Sequence, residues 1–436
     1  MNRIYLDYAA TTPIKPEVLK VMEETFRNVY GNPGSLHMEG QKAIAVIDSA
    51  REIIAKAVGA EFRGVIFMGS ATEANNSALR GIVNHKQSGK KPRIIISAVE
   101  HESVLETVKD LEREGAELII LPVDKMGVIN LKKLRESLNE RTVLVSVMYV
   151  NNEIGTVQPI AEISKIIGEF KKSIHSSSTH YSLCPYGTSP TGRQTIPKLR
   201  SGSRQNVGAH YPLFHTDAVQ AFRYLPCNIQ ELGVDLMTIS AHKIYGPKGV
   251  GALCVRQLQT TNYSLQPIIT GGGQEFGLRS GTENVPLIAG FAKAVELADK
   301  NREKEAKRID ELKIYFWKGI KKLYPSSAVN GPDFPHTPSP DNSIELSYGR
   351  RKAAPHILNV RFPGVSAEEF LIKLDMLGVA VSAGSACSMR SAKPSHVLEA
   401  IGLTPKQAKE SLRFSFGDGT TKREIDGVLG RIGAKI

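Results

Sequence analysis

The chain has few cysteines and no long apolar run, and both shortages exclude whole classes of protein. Its 436 residues contain only four cysteines and no CxxC pair: Cys184, Cys227, Cys254 and Cys387. This count excludes a disulfide framework and predicts no zinc or other metal site. No apolar run approaches the ~18–20 residues that span a bilayer. The opening residues, MNRIYLDYAATTP, lack the apolar stretch of a signal peptide, so we expect a cytoplasmic protein with no membrane partner.

Acidic residues are outnumbered, and the imbalance is local. The net charge is +12, and residues 171–210 hold six basic residues and no acid. The basic residues are Lys171, Lys172, Arg193, Lys198, Arg200 and Arg204. A tRNA-binding insertion is one interpretation. We favour a solvated loop, because charge alone gives only nonspecific affinity, and direct nucleic-acid binding is therefore not expected.

Apolar β-branched runs alternate with amphipathic stretches over the first 300 residues. This alternation predicts a largely parallel sheet with helices on both faces, and ligands at the carboxyl ends of the strands. The predicted strands are Val65–Met68, Arg93–Ser97, Leu118–Pro122, Val143–Val150, Tyr211–His215, Leu236–Ser240 and Gly251–Val255. The predicted helices are Gln41–Val58, Ser103–Glu114, Ile160–Lys171 and a long charged helix, about Val295–Tyr324.

Two stretches interrupt this pattern. Residues 173–210 are rich in Ser, Thr, Gly and Pro and predict an irregular insertion. Residues 331–355 contain five prolines and predict a second loop. Beyond about residue 300, strand and helix signals resume at 359–436 and indicate a smaller C-terminal domain.

A lysine and an aspartate follow two neighbouring predicted strands. Lys243 comes three residues after LMTIS, where a free ammonium is costly and a Schiff base with a carbonyl cofactor is reasonable. Asp217 ends another strand and is suited to pair with a protonated pyridine nitrogen. The alternatives are a surface turn lysine and a helix N-cap. The two residues together favour a pyridoxal phosphate site.

Three further segments end at the same sheet edge. Ala71 and Thr72 open a helix after VIFM, where backbone N–H groups are suited to bind phosphate, although in isolation the motif favours capping by Ser70 or Thr72. His101 is suited to stack on a flat ring or to move protons; the alternative is a helix-start histidine. Asn152 follows VLVSVMYV and offers an amide group.

One cysteine lies among small residues. Cys387 is in SAGSACS, where small neighbours suit an accessible, reactive thiol. Taken alone, the segment favours a buried cysteine in a tight turn.

These motifs together resemble the cysteine desulfurases, which are fold-type I pyridoxal phosphate enzymes. The resemblance covers nearly the whole chain outside the two loops. It rests on YLDYAATTP (5–13), GNPGSLH (31–37), ATEANN (71–76), EH (100–101), NNEIG (151–155), HTDAVQ (215–220), SAHKIYGPKGVGAL (240–253), GGGQE (271–275), RSGTEN (279–284), SAGSACS (382–388) and LRFSFG (412–417).

The resemblance implies a role for each matching residue. Lys243 would bind pyridoxal 5'-phosphate covalently and move a proton, Asp217 would pair with the pyridine nitrogen, and Cys387 would be the nucleophile. Around the cofactor, Gln220 would bind the phenolate oxygen, His101 would stack on the ring and assist proton transfer, and the phosphate would be bound by Ala71, Thr72, Ser240, His242 and, in the other subunit, Thr282. Asn152 and Arg413 would bind the substrate carboxylate.

The implied enzyme is a homodimer that converts L-cysteine to L-alanine and passes sulfur through a persulfide to an acceptor protein, for iron–sulfur cluster assembly or tRNA thiolation. Selenocysteine lyase is the alternative. The implied fold is a mostly parallel seven-stranded sheet in a large domain, 14–300, and a small α+β domain, 1–13 with 301–436, that carries the cysteine loop.

The sequence departs from the family pattern in four places, one of which is the 173–210 insertion, absent from typical members. Gly69-Ser70 stands where Ser-Gly is usual, and Asp418-Gly419 stands where a basic and a large residue are common. The chain ends at Ile436, whereas members that dock an iron–sulfur scaffold usually continue further. We therefore expect no docking through that standard contact.

Overall fold

The computed structural model describes residues 3–83, 91–178, 211–257, 265–332, 353–384 and 394–433, with the side chains of 175–178 excepted. The strands are β1 Ile4–Tyr5, β2 Val65–Met68, β3 Arg93–Ser97, β4 Glu117–Leu121, β5 Thr142–Ser146, β6 Leu213–Asp217, β7 Leu236–Ser240, β8 Gly251–Val255, β9 Ala328–Asn330, β10 Ile357–Arg361, β11 Val379–Ala380 and β12 Ser411–Ser415.

The helices surround these strands. They are α1 Pro16–Asn28, α2 Met38–Val58, α3 Ala71–Val83, α4 Glu102–Arg113, α5 Leu131–Ser137, α6 Ile160–Ser178, α7 Ile229–Leu232, α8 Val285–Leu323, α9 Ala367–Met376, α10 His396–Ala400, α11 Pro405–Ala408 and α12 Lys422–Gly433. In the described ranges, no helix combines the length and apolar character needed to cross a membrane.

Seven strands form the main sheet, in the order β2-β8-β7-β6-β5-β3-β4. Only β8 runs antiparallel to its neighbours, and the remaining pairings are parallel. Apolar clusters cover both faces of this sheet, which explains why most of its strands are continuous apolar runs. The predicted α/β architecture is confirmed.

Several predicted boundaries are wrong, and the two largest errors concern helices. Helix α6 continues to Ser178, into the segment predicted to be irregular from residue 173; residues 179–210 lie outside the described part. Helix α8 begins at Val285 rather than near Val295, because its first turns are buried almost all round and carry no amphipathic period.

A second core lies beyond the main sheet. It packs β10, β12, α9 and α12 against the second half of α8 and takes in Ile4 and Leu6 from the N-terminus. Helix α8 buries Ala298 in the first core and Ala306 in the second. We propose that the division into a domain of 14–300 and a domain of 1–13 with 301–436 passes through this helix between those two alanines.

Candidate active site

Side chains predicted to be functional follow four strands of the main sheet at their carboxyl ends. Asp217 is the last residue of β6, and Lys243 lies one turn beyond β7. His101 follows β3 and Asn152 follows β5. Because these strands are parallel neighbours, the structure places their ends along one edge of the sheet.

The N-terminal segment 9–12 closes over this edge. The Lys243 Nζ atom donates to the carbonyl oxygens of Ala9 and Ala10, at 2.6 Å each. Gln220 Nε2 donates to the same Ala9 oxygen at 2.9 Å. The segment is held in place by Thr12, whose backbone N–H and side chain both donate to the His242 carbonyl.

Asp217 is a buried carboxylate with two neutral donors. Its Oδ1 accepts from the Val219 N–H at 3.0 Å, and its Oδ2 accepts from Asn75 Nδ2 at 2.9 Å. No basic side chain in the described ranges forms an ion pair with it. A buried carboxylate without its own counterion fits a protonated pyridine nitrogen, so these residues are compatible with the predicted cofactor.

His101 is the N-cap of α4, and its Nδ1 accepts from the Ser103 N–H at 3.1 Å. The Ser103 hydroxyl lies 2.8 Å from the same nitrogen and accepts from Asn75 Nδ2 at 2.8 Å. An accepting Nδ1 leaves the ring proton on Nε2. Burial lowers the pKa of His101, partly opposed by the nearby Asp217 charge. The imidazole is therefore neutral near pH 7.

The start of α3 combines capping with the predicted phosphate position. Ser70 Oγ accepts from the Glu73 N–H at 3.1 Å, and Glu73 accepts from the Gly69 N–H at 2.9 Å. Both alternatives for this motif are therefore compatible, since α3 begins just after the carboxyl end of β2 and the cap leaves the first-turn N–H groups of Ala71 and Thr72 without a partner inside the helix. Gly251 of β8 lies against this turn: a Cβ there would meet Ala71 N at 3.1 Å.

Two more predicted phosphate ligands adjoin Lys243. Ser240 is buried at the end of β7. His242 Nδ1 lies 3.2 Å from Thr11 Oγ1, and burial with the nearby Lys243 charge lowers the pKa of His242 to about 3. Thr282, by contrast, is exposed and has no hydrogen bond to the other predicted residues in the described structure.

Arg413 of β12 reaches the site from the second core. Its side chain is only 2% exposed and forms an ion pair with Asp7 at 2.8 Å. Its Nη1 donates to the Asn152 carbonyl at 2.8 Å. The two predicted carboxylate-binding residues are therefore in direct contact. Asp7, Asn75 and Ser103 were not predicted; Asp7 and Asn75 stand inside quoted motifs, but nothing in their spacing indicated these contacts.

Cys387 lies outside the described residues, but both flanks of its segment are described. Ser382 exchanges backbone hydrogen bonds with Arg413 at 3.2 and 2.7 Å. On the other side, Ser395 donates to Glu153 at 2.6 Å. The described residues on both sides of the cysteine segment therefore contact Arg413 and Glu153, the neighbour of Asn152. Arg413 and Asn152 are the two predicted carboxylate-binding residues.

Two of the other cysteines are buried. Burial raises the pKa of Cys227 and of Cys254 to about 12. Neither thiol is accessible or ionised near neutral pH, which agrees with a structural role.

Asp418, which departs from the family pattern, forms ion pairs with two basic residues of this chain. Arg223 Nη2 donates to both carboxylate oxygens at 3.0 and 3.2 Å, and Lys15 Nζ lies at 2.7 Å. The two cations satisfy the unusual aspartate, and Arg413 keeps its position on β12.

The chain belongs to the class-V aminotransferase family, whose model matches residues 4–176 and 170–428. A cysteine desulfurase IscS of Dictyoglomus turgidum is 40% identical over 428 residues, which are 98% of this chain and 93% of the relative. One of Clostridium botulinum is 37% identical over 430 residues, with the same coverage. A solved NifS-like protein superposes with a TM-score of 0.80 at 32% identity, covering 99% of this chain and 98% of that one.

These comparisons confirm the prediction of a pyridoxal-phosphate-dependent cysteine desulfurase. Selenocysteine lyase, the alternative, is not favoured, because the relatives matched over nearly the full length are cysteine desulfurases.

Proposed function

We propose that the chain converts L-cysteine to L-alanine and transfers the sulfur to Cys387. The observation that carries the site assignment is the convergence of Lys243 and Gln220 on the Ala9 carbonyl, beside the end of the strand that carries Asp217. This arrangement supplies an amine, an amide donor and a carboxylate at one sheet edge, which is the donor set that pyridoxal phosphate requires.

The cofactor would be held by the residues at that edge. Lys243 would bind its aldehyde carbon, Asp217 its pyridine nitrogen and Gln220 its phenolate oxygen. Its phosphate would be bound by Ala71, Thr72, Ser240, His242 and the partner subunit's Thr282. Bound in this way, the cofactor supplies an electron sink that stabilises a carbanion next to the amino group.

The substrate carboxylate would bind Arg413, with Asn152 beside it. The guanidinium is already positioned by Asp7 and by the Asn152 carbonyl, so binding requires no large reorientation. The planar fork of an arginine also suits two carboxylate oxygens.

His101 would hold and deliver a proton through Nε2. The Nδ1 atom is occupied as a helix cap, and the partial positive charge at the helix N-terminus disfavours a second ring proton. Lys243, once displaced by the substrate amine, would carry the proton from the substrate's α-carbon.

Cys387 would accept the sulfur as a thiolate. A bond forms between the two sulfur atoms, the substrate C–S bond breaks, and the carbon fragment takes up protons and leaves as alanine. This proposal is supported by Ser382 and Ser395, which anchor the two flanks of the cysteine segment at the site.

The test is alanine release from L-cysteine with a reductant present. Wild type is compared with Cys387→Ala and with Cys184→Ala, a control thiol in the insertion. We expect loss of alanine release only in Cys387→Ala, with cofactor absorption intact in all three proteins. Continued release by Cys387→Ala would contradict the role of this thiol.

A homodimer is part of the proposal, since Thr282 is exposed and would complete the partner's phosphate site. Helix α1, the loop after it and the first residue of α2 also expose large apolar side chains, as expected of a covered face: Leu19, Phe26, Tyr30, Leu36 and Met38. Sedimentation equilibrium on wild type and Phe26→Asp tests this. We expect twice the chain mass for wild type and a weakened association in the variant.

The sulfur acceptor would be an iron–sulfur scaffold or a tRNA-thiolation enzyme in a reducing, cytoplasmic compartment. The sparse cysteines support a reducing compartment, and the desulfurase names of the relatives support a need for a sulfur acceptor. Persulfide transfer to each purified acceptor class distinguishes the two routes.

A further inference from the structure

One histidine outside every predicted site contacts a residue of the cofactor site. His356 lies just before β10 and is buried. Its Nε2 is 3.1 Å from Gln220 Oε1. Its ring stacks on Tyr224 with centroids 4.4 Å apart, and its carbonyl accepts from the Phe416 N–H at 2.9 Å. The imidazole is therefore held on two sides and aimed at the Gln220 amide.

The hydrogen bonds fix which way that amide points. The Ala9 carbonyl can only accept, so the atom of Gln220 that faces it at 2.9 Å must be the NH₂ nitrogen. The amide oxygen then faces His356, and an oxygen needs a donor. His356 must carry its proton on Nε2 for this contact to form.

We infer that His356 is a positioning residue that keeps the Gln220 NH₂ group directed into the cofactor site. The inference deepens the proposed function, because it rests on Gln220 donating to the cofactor's phenolate oxygen. Without a donor at position 356, the amide oxygen loses its partner, and the Ala9 carbonyl alone selects the inward orientation of the NH₂ group. Rotation by about 180°, which presents an oxygen to an oxygen, then becomes less costly.

The experiment separates this donor role from simple packing on Tyr224. His356→Gln and His356→Met both remove the stacked ring, and both side chains place a terminal atom three bonds from Cβ. Only the glutamine offers an N–H there. The readout is the pH midpoint of the visible absorption of the resting holoenzyme, which reports the proton held between Lys243 and the cofactor.

A donor to the phenolate oxygen favours loss of that proton, so a weaker donor raises the midpoint. We expect His356→Met to raise it by about half a pH unit, the size expected for one weakened hydrogen bond, and His356→Gln to restore the wild-type value. Equal midpoints in the two variants would overturn the inference. If His356→Gln and His356→Met do not fold, His356→Phe replaces them. It keeps a ring stacked on Tyr224 but has no N–H donor, so its midpoint should lie above that of wild type.

Gln220→Leu distinguishes failure of this inference from failure of the proposed site. If Gln220→Leu leaves the midpoint unchanged, Gln220 does not bind the phenolate oxygen and the site assignment itself fails. If Gln220→Leu raises the midpoint and His356→Met does not, only the role of His356 fails. With both roles correct, adding His356→Met to Gln220→Leu changes nothing further.

Discussion

A buried ion pair attaches the loop that carries Thr282 to the main sheet. Breaking this pair should lower the stability of the fold much more than breaking an ion pair on the surface. Arg51 of α2 meets Glu275 with two hydrogen bonds of 2.8 Å, and the side chains are 4% and 2% exposed. Glu275 also accepts from the Phe67 N–H of β2 at 2.8 Å. In Glu275→Gln, an NH₂ group faces a guanidinium that has lost its counterion.

The magnitude follows from burial. Removing one partner of a buried pair costs about 3–5 kcal/mol, because the remaining charge stays desolvated. A chain of 436 residues unfolds with an entropy of roughly 0.9 kcal/mol per kelvin. The melting temperature should therefore fall by about 3–6 °C.

The assay is thermal unfolding followed by circular dichroism, with Glu169→Gln as the matched control. Glu169 pairs with Arg135 at 2.8 Å, but those side chains are 45% and 58% exposed. Solvent already screens that pair, so we expect no resolvable change. The reasoning is refuted if Glu275→Gln has the same melting temperature as wild type, or if the melting temperature of Glu169→Gln falls by as much as that of Glu275→Gln.

Three more predictions concern the site. His101→Ala and His101→Asn should lose activity equally, but only the alanine variant should also lose about 1 kcal/mol in chemical denaturation, because asparagine still caps α4. Arg413→Lys should raise the KM for L-cysteine at least tenfold in steady-state kinetics, because an ammonium cannot replace a two-pronged guanidinium. Burial alone would raise the pKa of Asp418, but Arg223 and Lys15 hold it below its usual value. The stabilisation from the charged Asp418 is therefore present at neutral pH and is lost as the pH falls through that lowered pKa. The melting temperature of Asp418→Asn should be below that of wild type at pH 7, and the two should converge well below pH 4.

Strand positions were predictable where burial is uniform. VIFM, RIIIS, LMTIS and GALCV have the predicted bounds, because each is a short run of residues, all buried except Arg93, with a break beside it. The strand predicted as Val143–Val150 ends at Ser146 instead. The residues that follow it are apolar and buried but belong to a loop, and hydrophobicity alone does not separate the two cases.

The partners of the site residues were not predictable. Ala9 and Lys243 are 234 positions apart, and Arg413 and Asp7 are 406 apart. Such contacts are set by how the strands order in the sheet and how the second core docks, and neither leaves a local pattern in the sequence. Asp418 shows the same limit, because its unusual charge is satisfied by Arg223 from a distant segment.

The capping and functional interpretations of the sheet-edge residues turn out not to compete. His101 caps α4 with Nδ1, which leaves Nε2 for a proton. Asp217 closes a local turn with Oδ1 and accepts from Asn75 with Oδ2. Ser70 caps α3 at the predicted phosphate position. A side chain fixed by its own backbone loses little rotamer freedom when a ligand arrives, so the bonds that make these residues look merely structural are what hold them ready for chemistry.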